Sequence, residues 1–467
     1  MLFTEPLFFA FFAVVFSIYW TLRRNRSRKR WLLLCSYFFY AAWDWRFCSL
    51  ILASTILDFV VGLALRNPSP RFGRRFWLLA SLCGNLGLLG FFKYFNFFVE
   101  SANSVFGTLG LGEVRALYII LPVGISFYTF QTLSYTIDVY RRRMAPISSF
   151  LDFAVFVSFF PQLVMGPILR ARDFLPQLTT ATHFRDVRVQ SMLTLFLIGF
   201  VKKACISDNI APFVDAVYAD PTAYSALSIW LAVVSFAIQL YCDFSGYADM
   251  AIAQAGLLGY RVSPNFAFPF FAANISDFWR QWHISFSSWL RDYLYIPLGG
   301  SRAGEFRTHV NLMVTMLLSG LWHGAGWTFI AWGALNAVGL SVHRIYRSWA
   351  SAPPALDRLL ASVGVALTFY WFSWTLVFFR AASFEDAATV SRAFVLLQSP
   401  GTHTVDAHFL FWFLPLLAAH WISWRNDLVA LAARIPTARF CIGFGLAWAL
   451  ALACVRVEYR PFIYFQF

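Results

Sequence analysis

Residues 226–258 read ALSIWLAVVSFAIQLYCDFSGYADMAIAQAGLL, and this segment is long and apolar enough to cross a bilayer as one helix. Its only charged side chains are Asp243 and Asp249. Gln239, Asp243 and Tyr247 recur every four residues and therefore share one face of the helix, whereas Asp249 points elsewhere. Such a polar stripe lines a tunnel, binds a cation or joins helices through hydrogen bonds, and we favour the last role.

The whole chain has the composition of a membrane protein. Of its 467 residues, 59% are hydrophobic and 13% are charged, and the mean hydropathy is +0.62. A soluble domain has roughly 45–50% apolar and about 25% charged residues. Further apolar runs lie near 5–21, 31–43, 46–65, 76–98, 117–139, 150–166, 189–213, 308–346 (one span or two), 360–379, 407–424 and 438–455. We predict an all-α polytopic protein with roughly 10–13 spanning or re-entrant helices, forming a single domain over residues 1–467.

The charge pattern also indicates a membrane environment. The formal net charge is +14, but the basic residues occur in short runs between apolar segments, such as 23–30 and 141–143. This arrangement follows the positive-inside rule, so we expect the lipid bilayer as a partner. A basic face with a recognition motif is missing from the sequence, so we expect no nucleic-acid binding.

Few residues suggest a metal or cofactor site. The seven cysteines form no CxxC pair, and most lie in apolar runs, where cysteine behaves as a small hydrophobic residue. The string HTVDAH contains His403, Asp406 and His408, but without further ligands a polar loop is favoured over a metal site. Motifs for ATP hydrolysis, serine hydrolysis, zinc proteolysis and dinucleotide binding are missing. We therefore expect no bound metal or cofactor.

Two histidines stand out because their surroundings are aromatic and apolar. His283 ends the segment WRQWH (279–283), and His323 lies in LWHGAGW (321–327). An ionisable side chain at membrane depth is costly, so it indicates a functional site by default. Since imidazole takes and returns a proton near neutral pH, these residues indicate proton transfer, with His323 as the strongest candidate for a general base. On residue type alone, however, a hydrogen-bonded structural histidine in a helix kink is favoured over that role for His323.

The segment 266–300 is too polar to span the membrane and too aromatic for a plain loop. We predict an amphipathic helix at the membrane interface that ends at Pro297-Leu298-Gly299-Gly300. On such a helix Arg280 and Ser287 share a face with His283. In that position His283 orients a substrate or completes a proton path. The alternative is an interfacial histidine that is exposed to water at one edge of its ring.

Several segments together resemble the bacterial branch of the membrane-bound O-acyltransferase (MBOAT) family, including its alginate-acetylating members. The segments are LPVGISFYTFQTLSYTIDVYR (121–141), FFPQLVMGPILR (159–170), DFSGYADMAIAQAGLLGY (243–260), NFAFPF (265–270), ISDFWRQWHISFSSWLRDYLYIPLGGSR (275–302), LWHGAGWTFIAWGALNA (321–337), FFRA (378–381) and FIYFQF (462–467). Together they are highly specific, although any one alone is modest evidence.

The resemblance implies a ring of tilted helices around a tunnel that joins the two faces of a bacterial inner membrane. The catalytic histidine of the family maps onto His323, and its upstream histidine maps onto His283. The implied reaction moves an acyl group from a cytoplasmic thioester to a hydroxyl of an exported polysaccharide or cell-wall glycan. Acetyl-CoA is the favoured donor. An external acetylesterase-like partner protein is implied as well.

Several details remain open at this point. D-alanyl transfer to teichoic acid is the alternative within the family, and a glycan or lipid transporter is the alternative outside it. Trp322, His283 or backbone amides are candidate donors to an oxyanion. Basic segments 170–172, 202–203 and 302–307 are candidates for the donor phosphates. An acyl-enzyme at Cys242 is disfavoured against direct transfer.

Overall fold

A computed structural model describes residues 1–67, 72–302, 304–349, 354–405 and 413–456. These residues form helices joined by turns and loops, so the predicted all-α polytopic fold is confirmed. Within them, five helical segments are long and apolar enough to cross a membrane: Asn25–Arg66, Gly73–Thr108, Val189–Ala219, Ala226–Leu257 and Ala361–Arg380. Pro6–Thr21 and Thr437–Ala453 are shorter apolar helices. The closing segment FIYFQF lies outside the described residues.

The chain divides into two compact units, and the first comprises residues 1–187 and 254–263. Its helices are α1 (Pro6–Thr21), α2 (Asn25–Asp44), α3 (Cys48–Arg66), α4 (Gly73–Leu89), α5 (Phe95–Thr108), α6 (Ile125–Tyr140), α7 (Phe150–Ser158), α8 (Phe160–Leu163) and α9 (Ala171–Thr179). A π-helical turn, Gly90–Tyr94, joins α4 to α5. The span predicted from residue 117 begins only at Ile125, because Gly124 adopts a left-handed conformation with φ of 75°. The single domain expected over 1–467 stays a prediction.

A buried polar network joins three helices of the first unit. Asp58 of α3 accepts hydrogen bonds from Ser81 and Asn85 of α4 and from Thr136 of α6, the last two at 2.7 and 2.8 Å. Ser54 donates to the amide oxygen of Asn85 at 2.6 Å. All five side chains are buried. Since water does not compete for these hydrogen bonds, the network fixes the three helices relative to one another.

The second unit comprises residues 188–253 and 264–467. Its helices are α10 (Val189–Phe200), α11 (Asp208–Ala219), α12 (Ala226–Leu257, of which residues 254–257 fall in the first unit), α13 (Ile275–Gln281), α14 (Ile284–Leu290), α15 (Glu305–His323), α16 (Trp327–Trp349), α17 (Pro354–Arg380), α18 (Phe384–Leu396), α19 (Phe413–Arg425), α20 (Leu428–Ala432) and α21 (Thr437–Ala453). π-Helical turns lie at Val201–Ser207 and Arg291–Tyr295. The region 308–346, predicted as one span or two, forms two helices, α15 and α16.

Ion pairs attach α12 to the π-helical turn that follows α10. The Lys203 ammonium lies 2.7 Å from carboxylate oxygens of both Asp208 and Asp243. Lys202 lies 2.7 Å from Asp249, on the same helix as Asp243. These contacts support the helix-joining role of the acidic side chains of α12. Residues 202–203 lie in a helical turn and not in the expected loop, and both lysines pair with carboxylates there. Their contact with the donor phosphates stays a prediction.

Candidate active site

His323 is the last residue of α15, at the point where the chain turns into α16. The two helices approach so closely that a methyl group at Gly320 would collide with the carbonyl oxygen of Phe329. A methyl group at Gly333 would likewise collide with the carbonyl oxygen of Met316. Glycine on each helix therefore permits the close packing that fixes the end of α15 and, with it, the imidazole.

Four aromatic rings surround the His323 imidazole. The ring centroids of Trp322, Trp332, Phe286 and Phe379 lie 4.8, 5.0, 5.7 and 5.3 Å from that of His323, each at a steep interplanar angle between 68° and 84°. The histidine side chain is buried, with 5% of its surface exposed. We call these four rings the aromatic chamber. Because the imidazole is buried among them, a charge or dipole beside it acts at low dielectric.

His283 lies between α13 and α14, and the single interfacial helix predicted over 266–300 is wrong. The chain there forms two helices of seven residues each, separated at His283, whose left-handed backbone has φ 43° and ψ 54°. A continuous helix is incompatible with that conformation. The face that His283 was expected to share with Arg280 and Ser287 therefore does not form. Arg280 is exposed and pairs with Asp277 at 3.0 Å.

The side chain of Asn265 anchors the His283 turn. Its Oδ1 atom accepts hydrogen bonds from the Ser285 backbone N–H at 3.1 Å and from the Ser285 hydroxyl at 2.9 Å. The same oxygen lies 3.3 Å from Nδ1 of His283. Burial lowers the pKa of His283 to about 3. The His283 imidazole is therefore neutral throughout the physiological pH range.

The two predicted histidines meet the same aromatic side chains. Phe286 lies 5.0 Å from the His283 ring and 5.7 Å from the His323 ring. Trp322 lies 5.9 Å from His283 and 4.8 Å from His323, and it stacks on Phe286 at 4.1 Å. The fold thus brings residues 40 positions apart in the sequence to one site. Their catalytic roles stay predictions.

Two residues of the site were missed by sequence reasoning. Asn265 lies in the quoted segment NFAFPF, but spacing along the chain does not connect it to His283. Trp332 is one of 19 tryptophans, and its role at the His323 ring follows only from the packing of α16 on α15. The Trp332 indole N–H is buried and has no hydrogen-bond partner among the described residues. The sequence signal that could have identified both residues is a side chain capable of hydrogen bonding within a largely apolar segment.

The structure gives little support to the other candidate sites. The described residues contain no group of three or more His, Cys, Asp or Glu side chains placed to hold a metal ion. The backbone of His403 forms an isolated bridge with Tyr224, whereas Asp406 and His408 lie outside the described residues. Cys242 is fully buried within α12.

Fold and site together define an integral membrane protein with a buried histidine centre. Residues 111–381 match the sequence pattern of MBOAT, the membrane-bound O-acyltransferase family. This region contains both histidines and covers more than half of the chain. The chain belongs to the MBOAT family, and it is an O-acyltransferase, as the resemblance of its motifs implied.

The chain is similar in sequence to curated relatives over most of its length. It is 42% identical over 390 residues to a probable alginate O-acetylase (AlgI) of Azotobacter vinelandii, covering 83% of this chain and 76% of the relative. It is 38% identical over 432 residues to a peptidoglycan O-acetyltransferase of Helicobacter pylori, covering 85% and 80%. A teichoic acid D-alanyltransferase of Bacillus subtilis is 26% identical over 278 residues, covering 56% and 69%.

Proposed function

We propose that this protein transfers an acetyl group from a cytoplasmic thioester, acetyl-CoA, to hydroxyls of an exported polysaccharide or cell-wall glycan. The observation that carries the proposal is the buried His323 imidazole in its aromatic chamber, within the region matched by the O-acyltransferase family. The two relatives with about 40% identity bear names that specify acetylation of alginate and of peptidoglycan. Both acceptors are glycans outside the cytoplasm, which supports an exported acceptor here.

In the proposed reaction, His323 acts as general base and then as general acid. It removes the proton from an acceptor hydroxyl while the oxygen forms a bond to the carbonyl carbon of the thioester. The tetrahedral intermediate collapses, the C–S bond breaks, and the imidazolium returns the proton to the departing thiolate. The products are an acetyl ester and a free thiol. The buried imidazole is regenerated without a covalent acyl-enzyme.

The negative charge on the tetrahedral oxygen needs a donor that is already in place. Trp332 suits this role because its indole N–H is buried beside His323 and has no hydrogen-bond partner in the described parts of the chain. A preorganised donor at low dielectric stabilises the developing charge without reorganisation. Trp322 remains a second candidate of the same chemistry.

A polar cavity of about 410 Å³ in the second unit supports a phosphorylated thioester donor. Its walls include Arg280, Arg344 and Arg347, and guanidinium groups are the preferred partners of phosphate. Arg344 pairs with Glu305 at 2.9 Å, but that pair is exposed and therefore easily rearranged. Arg347 forms no ion pair with the residues that the structure describes. Because arginine residues lie at both the start of α15 and the end of α16, the positive-inside rule favours a cytoplasmic location for this cavity.

The distance from this cavity to the aromatic chamber suits a pantetheine arm. His343 lines the cavity and Trp332 contacts His323, and both belong to α16. They are 11 positions apart in the sequence, which corresponds to roughly 16 Å of helix. The pantetheine arm, about as long as four extended residues, reaches roughly 14 Å. A donor with its phosphates in the cavity would therefore present its thioester close to His323.

We further propose a location in the bacterial inner membrane and an external acetylesterase-like partner that completes the transfer to the glycan. Exported acceptors require that the acetyl group crosses the membrane, which supports both points. D-alanyl transfer is the second candidate, favoured by the 26% identity to a teichoic acid D-alanyltransferase. Membership of an acyltransferase family weighs against a transporter.

The proposal is tested by the acetyl-ester content of extracellular polysaccharide and cell wall in a strain without this gene. Complementation uses the wild-type chain, His323→Ala and, as a matched control, the exposed His183→Ala, with membrane levels checked by immunoblot. We expect wild type and His183→Ala to restore acetyl ester, and His323→Ala to fail. Normal acetylation in the deletion strain, together with loss of D-alanyl ester, would favour the second candidate instead.

A further inference from the structure

We infer that Asn265 is a positioning residue, which holds His283 in the tautomer with the proton on Nδ1. The Nε2 lone pair of His283 then serves as the acceptor that binds and orients the attacking hydroxyl. The inference rests on the proposed function, since it gives the second histidine a role in the same transfer reaction.

The hydrogen bonds of Asn265 determine the tautomer. Its Oδ1 atom accepts from the backbone N–H and the hydroxyl of Ser285, at 3.1 and 2.9 Å. A carbonyl oxygen of an amide only accepts hydrogen bonds. The Nδ1 atom of His283, 3.3 Å from the same oxygen, must therefore carry the proton. In a neutral imidazole the other nitrogen, Nε2, is then a lone-pair acceptor.

The backbone around His283 is held on both sides. The Ile284 N–H donates to the carbonyl oxygen of Asn265 at 2.9 Å, and the Ala267 N–H donates to that of Gln281 at 2.9 Å. These bonds maintain the left-handed conformation of His283, with φ of 43°, which is unfavourable for a residue with a Cβ atom. Strained conformations of this kind are maintained where a side chain must be aimed in one direction.

The Nε2 atom of His283 is buried and has no hydrogen-bond partner among the described residues. Its ring instead contacts Phe244 at 4.5 Å and Phe286 at 5.0 Å, both apolar. A buried acceptor that lacks a partner is costly, so a ligand hydroxyl that reaches it gains a hydrogen bond at little desolvation cost to the protein. The His283 and His323 rings contact the same two side chains, Phe286 and Trp322.

Few charged groups lie near His283. His323 is the titratable group across Phe286 and Trp322. On α12, Asp243 is adjacent to Phe244 and is paired with Lys203. Burial keeps the imidazole neutral, so Nε2 remains an acceptor over the working pH range. His283 therefore cannot donate to the oxyanion in this tautomer, and that earlier expectation is replaced by a role toward the hydroxyl.

The test combines two substitutions at Asn265 with a matched control. Asn265→Leu removes the acceptor for Nδ1–H, and we expect kcat/KM for the glycan acceptor to fall about 10²-fold through lost orientation. Asn265→Asp keeps an acceptor, but its carboxylate raises the pKa of His283. Activity is then retained at alkaline pH and lost as the pH falls, because protonation removes the Nε2 lone pair. Asn311→Leu, at a buried asparagine on α15, is the control and should leave the pH profile unchanged.

The tautomer is read directly from the nitrogen-15 NMR shifts of His283 in the full-length wild-type protein, assigned with His283→Gln. Protonated Nδ1 and unprotonated Nε2 support the inference, even where Asn265→Leu fails to fold. The opposite tautomer overturns it, as does an Asn265→Asp variant with the wild-type pH profile. If His323→Ala retains full activity, the proposed function fails whichever tautomer is found. If activity needs His323 but the tautomer is reversed, only this inference fails.

Discussion

The buried indole of Trp332 is the residue that most directly tests how the oxyanion is stabilised. Trp332→Phe keeps an aromatic ring against His323 and removes the indole N–H group together with part of the ring volume. We expect kcat to fall roughly 10²-fold with little change in KM, because the donor acts on charge that develops in the transition state. Steady-state kinetics of the purified protein measure both constants.

The control for Trp332→Phe is Trp421→Phe, at a tryptophan that is 53% exposed on α19. It should leave kcat unchanged. Equal kinetics for the wild type and Trp332→Phe would assign the oxyanion to another donor, such as Trp322.

The two histidines were predictable from sequence, whereas their supporting residues were not. His283 and His323 stand out because an imidazole among aromatic residues in a membrane chain is costly and therefore informative. Asn265 and Trp332 have no feature in the sequence that distinguishes them from the other polar and aromatic residues of the chain. Their roles depend on a loop folding back onto residue 283 and on two helices packing together, and neither contact has a local signature.

At the scale of helices, Lys203 joins the π-helical turn to α12 through the buried carboxylate of Asp243, and it also pairs with the partly exposed carboxylate of Asp208. Lys203→Met leaves Asp208 and Asp243 without that ammonium. Breaking a buried ion pair from one side costs about 3–5 kcal/mol, so we expect a clear loss of thermal stability. Thermal unfolding in detergent measures the effect.

Lys202→Met provides the comparison, because the side chains of Lys202 and Asp249 are each 20% exposed and water remains available to the carboxylate. The expected loss is smaller. If both variants keep the wild-type thermal stability, the ion pairs do not hold α12 in place.

Helix positions were predictable where length and hydropathy suffice, and less so where a single residue breaks the pattern. The α15–α16 hairpin and α12 follow from long apolar runs. The segment 266–300 has an amphipathic composition, but Asn265 and the left-handed His283 divide it into short helices. Hydropathy is insensitive to one backbone conformation, so the break was missed.

Across the whole molecule, the donor phosphates in the proposed reaction bind at a distance from His323. Arg344→Gln together with Arg347→Gln removes two guanidinium groups from the polar cavity. Each charge-assisted hydrogen bond is worth about 1.5–3 kcal/mol, so coenzyme A binding should weaken at least roughly tenfold. Pantetheine, which lacks phosphate, should bind both proteins equally.

Calorimetric titration of the purified protein with coenzyme A and with pantetheine measures this difference. Arg439→Gln, at an exposed arginine of α21, is the control. Wild-type affinity for coenzyme A in the double variant would exclude the cavity as the phosphate site. If the double variant loses binding to phosphatidylglycerol but keeps its affinity for coenzyme A, the cavity is a lipid site.

Family membership extends over most of the chain, since relatives match 83% and 85% of it. Sequence therefore predicted the class of reaction through motifs distributed along the molecule. The ring of helices around a tunnel stays a prediction, as does the identity of the glycan. The acceptor is determined by surfaces and partners that motif spacing does not encode.

The role of His323 is measured most directly as acetyl transfer by proteoliposomes that contain the purified protein, supplied with radiolabelled acetyl-CoA, glycan acceptor and the external partner. Release of free thiol and formation of acetyl ester are followed for wild type, His323→Ala and His183→Ala. We predict that His323→Ala lowers the rate about 10²–10⁴-fold, the range typical of a lost general base, while His183→Ala retains the wild-type rate. A wild-type rate in His323→Ala would show that His323 is not the general base of the transfer reaction.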